Sequence, residues 1–180
     1  GMKLIDEKLG GTTPLEVILK FPDIEKEESE EDSFDDDWGD NDPKDDKKYW
    51  FTKDKITTIT NVHNYLDSLP QIGKVLSFSS IIDVATQLNN NKPLGTLEMG
   101  VLYTKIPENI KTEIIDPYIS IEDNEARISI RIIDSQKDLR RNDLINKINF
   151  DLENKLGIQK DRYKLAGILI LFNNLLQSLF

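Results

Sequence analysis

The clearest strand pattern in the chain is ARISIRII, from Ala126 to Ile133. Every second residue from Ile128 to Ile132 is isoleucine, and the polar residues Arg127, Ser129 and Arg131 lie between or beside them. Successive side chains of a strand point to opposite faces of its sheet. The alternation therefore predicts a strand with one buried face and one solvent-exposed face.

The segments on either side of this strand have helix and strand patterns of their own. Downstream, a charged amphipathic helix is expected from Asp138 to Leu156, with Gly157 as a left-handed cap, and then a strand from Arg162 to Leu171. The elements expected upstream are a strand from Thr12 to Phe21, a helix from Lys53 to Leu69, a strand from Gly73 to Ile82 and short helices between residues 84 and 118.

This order of elements is that of a split βαβ fold. We expect an α+β domain of the ferredoxin-like type, in which helices cover one face of an antiparallel sheet. A helical insertion, residues 84–118, separates the second strand from the third. The first strand directs Leu15, Val17 and Leu19 to the core. The fold hosts many unrelated activities, so it does not indicate a function by itself.

The charge of the chain is unevenly distributed. The formal net charge is −10, and residues 23–46 hold fourteen of the 33 acidic residues but only two of the 23 basic ones. The rest is nearly neutral, with 21 basic residues against 19 acidic ones. We expect residues 23–48 to form an acidic mobile insertion, because they cannot bury enough apolar surface to offset ordering entropy. The scattered basic residues argue against nucleic-acid binding.

Side chains that carry catalysis or bind metals are sparse, and we expect no catalytic, cofactor-binding or metal site. The chain has no cysteine, and His63 is its single histidine. The serines between Ser77 and Ser80 lack the G-x-S-x-G turn of a hydrolase nucleophile. The acidic run Asp35–Asp42 does not have EF-hand spacing, since Gly39 comes one position early and no terminal glutamate follows.

Several phrases of the sequence together resemble the large extracytoplasmic loops of exporters of the resistance-nodulation-division (RND) superfamily, in its MMPL and Patched-like branch. In order along the chain they are LGGTTPLE (Leu9–Glu16), YWFT (Tyr49–Thr52), GKVLS (Gly73–Ser77), DPYIS (Asp116–Ser120), ARI (Ala126–Ile128) with Arg131, and LFNNLLQSLF (Leu171–Phe180). The resemblance covers nearly the whole chain except the acidic insertion. The opening phrase is more similar to the second large loop of such exporters than to the first.

The resemblance implies a porter domain on the periplasmic side of a bacterial inner membrane. Such a domain belongs to a proton-driven exporter that moves lipids or other hydrophobic compounds outward. Its partners would be the other loop domain and the transmembrane helices of the same exporter, and a homo-oligomer of the full-length transporter is left open. The residues that couple transport to protons lie in transmembrane helices, so the resemblance assigns none of them to this chain.

The resemblance also sets the expected organisation of the chain. Residues 1–22 are expected to form a linker and the first strand, and residues 49–171 the remainder of the porter domain. Residues 172–180 would begin a helix that leads to the membrane, so we expect the chain to be part of a longer membrane protein. No stretch within it approaches the roughly 18 apolar residues that span a bilayer.

The helical insertion supplies the candidate binding residues. An apolar cleft between subdomains is the type of site that such a domain would use. The candidates for lining it are Leu94, Leu97, Met99, Val101, Leu102 and Tyr103. The alternative is that these side chains are core between the insertion and the sheet. The alternative function is a free-standing ferredoxin-like domain that binds a ligand or regulates a partner.

Overall fold

The computed structural model describes residues 1–23, 47, 49–135 and 140–179. Most of the predicted acidic insertion, residues 23–48, lies outside the described residues. The run Asp35–Asp42, considered above as a calcium site, also lies outside them, as does the predicted start of a helix at Asp138.

Helices and strands alternate along the described chain. The strands are β1 (Thr13–Lys20), β2 (Ile72–Leu76), β3 (Ile119–Ser120), β4 (Glu125–Ile132) and β5 (Tyr163–Ala166). The α-helices are α1 (Met2–Leu9), α2 (Lys53–Asp67), α3 (Phe78–Leu88), α4 (Thr96–Lys105), α5 (Glu108–Ile110), α6 (Arg141–Asn154) and α7 (Ile168–Leu179). A π-helix spans Lys111–Ile115, and a 3₁₀ turn spans Lys160–Arg162.

The strands form one antiparallel sheet in the order β2-β4-β1-β5, and the short β3 pairs with β4 at the edge. In the central pair, Leu15 lies opposite Ile130 and Val17 opposite Ile128. Strands β1 and β2 therefore flank β4, which comes later in the sequence, as the split βαβ pattern requires. The prediction of an α+β fold of the ferredoxin-like type is confirmed.

The core lies between one face of the sheet and helices α2 and α6. The isoleucines Ile128, Ile130 and Ile132 are fully buried on this face, as the alternation predicts. The side chains that meet them include Leu15, Val17 and Leu19 of β1, Ile59, Val62 and Leu66 of α2, and Ile148 and Leu152 of α6. Burying an aliphatic side chain of this size contributes roughly 1.5–3 kcal/mol each.

The two core helices are also joined by the buried carboxylate of Asp151 on α6. It accepts hydrogen bonds from the hydroxyl of Tyr65 on α2 at 2.7 Å and from the ammonium of Lys147 at 2.8 Å. Lys155 adds an ion pair at 3.1 Å. Hydrogen bonds from Lys147, Tyr65 and Lys155 outweigh burial and lower the pKa of Asp151 to about 2. The charge on α6 is thus satisfied where the helices meet.

The predicted strand from Gly73 to Ile82 is wrong beyond Leu76. Ser77 ends it, because its hydroxyl accepts a hydrogen bond from the amide of Ser79 at 3.0 Å. The amide of Ser77 in turn donates to the hydroxyl of Ser80 at 3.2 Å. This reciprocal pair is a capping box, which starts a helix. Helix α3 therefore begins at Phe78, and the insertion predicted from residue 84 starts six residues earlier.

Both ends of the described chain also differ from the prediction. Residues predicted as a linker include helix α1, which ends at the left-handed Gly10. The strand predicted to reach Leu171 stops at Ala166, and helix α7 begins at Ile168 rather than at Phe172. A short apolar run fits a buried strand or a helix equally well by periodicity, so the sequence did not locate this boundary.

The sheet has two distinct ends. Thr13 at the start of β1 pairs with Ile132 at the end of β4, and Ala166 at the end of β5 pairs with Glu16 nearby. Helix α1 precedes β1 and helix α7 follows β5, so both lie at this end, which we call the terminal end. Lys20 at the end of β1 and Leu76 at the end of β2 lie towards the opposite end of the sheet. We call that the insertion end, because residues 78–115 leave the sheet there.

Candidate functional site

The aromatic phrase Tyr49–Phe51 lies at the insertion end, just before helix α2. Trp50 and Phe51 are buried, and only Tyr49 is exposed. The Trp50 ring packs edge-on against Phe21, with ring centroids 5.9 Å apart, and against Phe51 at 5.4 Å. These aromatic residues fasten the chain to the core on both sides of the acidic segment.

The side chain of Asn124 holds the same junction together. Its amide nitrogen donates to the carbonyl oxygens of Phe21 at 3.2 Å and Pro22 at 2.9 Å. Its amide oxygen accepts from Trp50 Nε1 at 2.9 Å and from Lys55 Nζ at 2.8 Å. Burial lowers the pKa of Lys55, and the nearby Asp23 opposes that shift. One side chain thus bonds to residues before and after the acidic segment.

An apolar cavity of about 80 Å³ lies between the helical insertion and the sheet domain. The Phe51 ring forms its inner wall and contacts the rings of Phe78 and Tyr103, with centroids 5.5 and 5.3 Å away. The other lining residues are Ile81, Ile82, Ala85, Leu94, Met99, Leu102, Ile106 and Ile115. Almost all atoms that line the cavity are apolar, so it suits hydrophobic groups and not ions.

The structure brings four of the six predicted cleft residues together at this cavity. Leu94, Met99, Leu102 and Tyr103 line it. Leu97 and Val101, on the same stretch of chain, do not, and Leu97 is 63% exposed. Leu102 is 44% exposed although it lines the cavity, so it lies at the opening.

A second apolar surface is an open groove of about 510 Å³ between α3 and the π-helix. Its lining includes Leu76, Ile81, Val84, Leu88 and Ile114. Val84 is 56% exposed and Leu88 is 81% exposed. This groove was not predicted, because the strand predicted from Gly73 to Ile82 includes the first part of α3. The spacing of Ile81, Val84 and Leu88 at three and four residues is the helical signal that could have revealed it.

A third opening is a polar cleft of about 660 Å³ on the other side of the π-helix. Lys111 is buried in its wall, donates to Glu108 at 3.3 Å and lies 4.6 Å from the centre of the Tyr103 ring. The cleft is also lined by Asp116 and Glu122. Burial raises the pKa of Tyr103, and the carboxylates of Asp116, Glu108 and Glu122 add to the shift. The sequence did not predict this cleft, since its charged side chains come from α5, the π-helix and the turns on either side of β3.

The π-helix is the wall that the three openings share. Lys111 contributes to the polar cleft, Ile114 to the open groove and Ile115 to the apolar cavity. π-Helices are rare and occur frequently at functional sites. This short element makes the helical insertion the strongest candidate site in the described part of the chain.

The side chains of Ser77 and His63 form a pair at the start of α3. Ser77 Oγ lies 2.9 Å from Nδ1 of His63, but Ser77 is fully buried and caps α3. Within the described ranges, no three histidine or carboxylate side chains are grouped to hold a metal ion.

None of the helices in the described part of the chain combines the length and the apolar character needed to cross a bilayer. In comparisons with known proteins, no family model, curated protein or solved structure matches the chain.

Proposed function

We propose that the chain is an extracytoplasmic porter domain of a proton-driven exporter of the RND superfamily, in the MMPL and Patched-like branch. In this role it guides lipids or other hydrophobic compounds outward. The proposal rests on the sequence phrases that resemble this family, and three features of the structure support it.

The structural feature that supports the proposal most directly is the arrangement of helices α1 and α7. Both lie at the terminal end of the sheet, and both expose apolar side chains. These are Leu4, Ile5 and Leu9 on α1, and Ile168, Leu171, Leu175 and Leu179 on α7. A loop domain inserted between two membrane helices has to receive and return the chain at one end. Exposed apolar side chains at that end suit a position next to a membrane or membrane helices.

The second feature is the position of the apolar openings. The cavity and the open groove belong to the helical insertion, which leaves the sheet at the opposite end. Sites for hydrophobic molecules are concave and mainly apolar, as these openings are. A compound bound there would be held away from the terminal end, on the side that faces outward in an exporter.

The third feature is the contact between two of the phrases that carry the resemblance. Gly10 and Gly73 approach so closely that a Cβ atom on Gly73 would lie 2.5 Å from the carbonyl oxygen of Gly10. In addition, the buried carboxylate of Asp6 accepts from the amide of Ser135 at 2.6 Å and from the hydroxyl of Thr12 at 2.9 Å. These contacts fix α1 to the sheet. A movement of α1 would then move the domain as a rigid body, which is how porter domains would transmit motion.

The membrane context is tested by the coding sequence on either side of residues 1 and 180. The proposal expects apolar segments of about twenty residues on both flanks, with a second set of helices and a second loop elsewhere in the gene. A natural start and stop at these residues would contradict it.

Binding of hydrophobic compounds is tested with a photoactivatable long-chain alcohol. Adducts mapped by mass spectrometry should concentrate on the residues that line the apolar cavity. Leu102→Asp should remove most of them, because it puts a charge at the cavity opening. Leu97→Asp is the matched control, since Leu97 lies on the same helix but outside the cavity. Equal loss of adducts in both variants, or adducts spread over the whole surface, would contradict the proposal.

A further inference from the structure

The polar cleft differs in chemistry from the apolar openings beside it. Its volume of about 660 Å³ is within the range of about 300–1,000 Å³ that small-molecule sites occupy. Part of its lining is apolar, from Ile106, Ile119 and Ile121. The cleft and the apolar cavity share Tyr103 and Ile106. The two openings are therefore neighbours, and an apolar tail that lies along these two side chains would run from the cleft towards the cavity.

The charges around the cleft favour a positively charged head. Among the described residues, three carboxylates line it, those of Glu108, Asp116 and Glu122, against the two ammonium groups of Lys47 and Lys111. Lys111 is already paired with Glu108. In the part of the chain that the structure describes, neither Asp116 nor Glu122 forms an ion pair.

The surroundings of Lys111 show that the wall of the cleft already holds one buried ammonium group. Its ammonium lies over the Tyr103 ring at 4.6 Å and next to a carboxylate at 3.3 Å, and the residue is only 9% exposed. Aromatic rings and carboxylates together stabilise ammonium groups that have lost part of their water. An arriving anion would meet the carboxylates of Asp116 and Glu122, which are paired with no cation among the described residues.

We propose that the polar cleft binds the ammonium head of a cationic amphiphile, whose apolar tail lies along Ile106 and Tyr103 towards the apolar cavity. Asp116 and Glu122 hold the ammonium group, and Lys111 with Glu108 forms the neutral side of the cleft. This inference rests on the proposed function, because it names the chemical class of the hydrophobic compound that the domain handles.

The test compares three ligands that share one tail, octylammonium, 1-octanol and octanoate, by isothermal titration calorimetry at low salt. Octylammonium should bind about tenfold more tightly than 1-octanol, since two partly exposed ion pairs contribute about that factor. Octanoate should bind more weakly than 1-octanol. Added salt should reduce the preference for octylammonium.

Variants locate the head group. The double variant Asp116→Asn with Glu122→Gln should bind octylammonium and 1-octanol equally well. Its matched control, Asp83→Asn with Glu7→Gln, removes two exposed carboxylates outside the cleft and should keep the tenfold preference. If the double variant fails to fold, as circular dichroism would reveal, the three-ligand comparison on the unsubstituted protein decides by itself.

Two negative outcomes separate this inference from the proposed function. Equal affinity of the unsubstituted protein for octylammonium and 1-octanol would overturn the inference, while binding of hydrophobic compounds would stand. Absence of binding for all three ligands would overturn both. Equal loss of preference in the control variant would also overturn the inference, because it would indicate only a general effect of net charge.

Discussion

Apolar side chains are buried in the sheet domain, whereas several of them are exposed in the helical insertion. In the sheet domain, the isoleucines of β4 are fully buried against two helices. In the insertion, Leu88 is 81% exposed and Val84 is 56% exposed on one face of α3. The apolar side chains of the sheet face therefore form a core with these helices. The insertion has apolar surface that the described part of the chain leaves uncovered, and such surfaces mark binding sites.

The largest expected difference between the two regions is in the cost of removing an apolar side chain. Ile130→Ala should lower the free energy of unfolding by about 2–5 kcal/mol, because it opens a cavity between β1 and β2. Leu88→Ala should change it by no more than about 0.5 kcal/mol. Urea unfolding followed by circular dichroism measures both. Comparable losses would contradict the comparison, because Leu88 would then be part of a core.

Asn124 joins the flanks of the acidic segment, and its replacement should have an intermediate effect. Asn124→Ala should cost about 2–3 kcal/mol, since it removes hydrogen bonds and forces alanine into a left-handed backbone. Asn124→Gly should cost less, because glycine accepts the φ of 53° without strain. Thermal or urea unfolding separates the two contributions. Equal stability of wild type and both variants would mean that the side chain does not hold the junction.

Acid should weaken the link between α2 and α6. The pKa of Asp151 is about 2 in the folded protein against an ordinary value of 3.8, and a lowered folded-state pKa means that the carboxylate stabilises the fold above the ordinary value. That contribution is lost as the pH falls from about 3.8 to about 2. Asp151→Asn should therefore make the free energy of unfolding depend less on pH in this window. The same substitution at the exposed Asp83 should leave that dependence unchanged. Parallel curves for wild type and Asp151→Asn would contradict the assignment.

The smallest effect is expected on the outer face of the sheet. Arg127 and Glu16 form an ion pair at 3.5 Å with both side chains partly exposed. Arg127→Ala should cost between about 0 and 1 kcal/mol and should become neutral at high salt. Unfolding at two salt concentrations tests this. A loss of several kcal/mol would mean that this face is buried against something in solution.

The sequence predicts the sheet domain well because its signals are local. The alternation around Ile130 and the helical spacing from Ile56 to Leu66 each need only a few neighbouring residues to be recognised. Ser77 shows where local signals fail. It is the N-cap of α3, but within a run of apolar and serine residues it does not interrupt the alternation that predicts a strand. The strand prediction therefore continued into α3.

The site was harder to predict than the fold. Leu94, Met99, Leu102 and Tyr103 could be chosen because they cluster in the sequence. Phe51 and Phe78, which complete the cavity, come from segments that only the tertiary fold brings together. The same reason applies to the polar cleft, where Lys111 of the π-helix and Glu122 of the turn after β3 line one opening. No sequence pattern indicates the π-helix, so the sequence does not place these two residues at one site.

The most direct test of the account is to titrate the isotope-labelled chain with 1-octanol and follow its backbone amides by nuclear magnetic resonance. The account predicts that shift changes concentrate in residues 78–118 and at Phe51, and that the amides of β1 and β4 stay in place. Changes spread over the sheet domain, or no saturable change in the insertion, would contradict the claim that the insertion carries the binding surface.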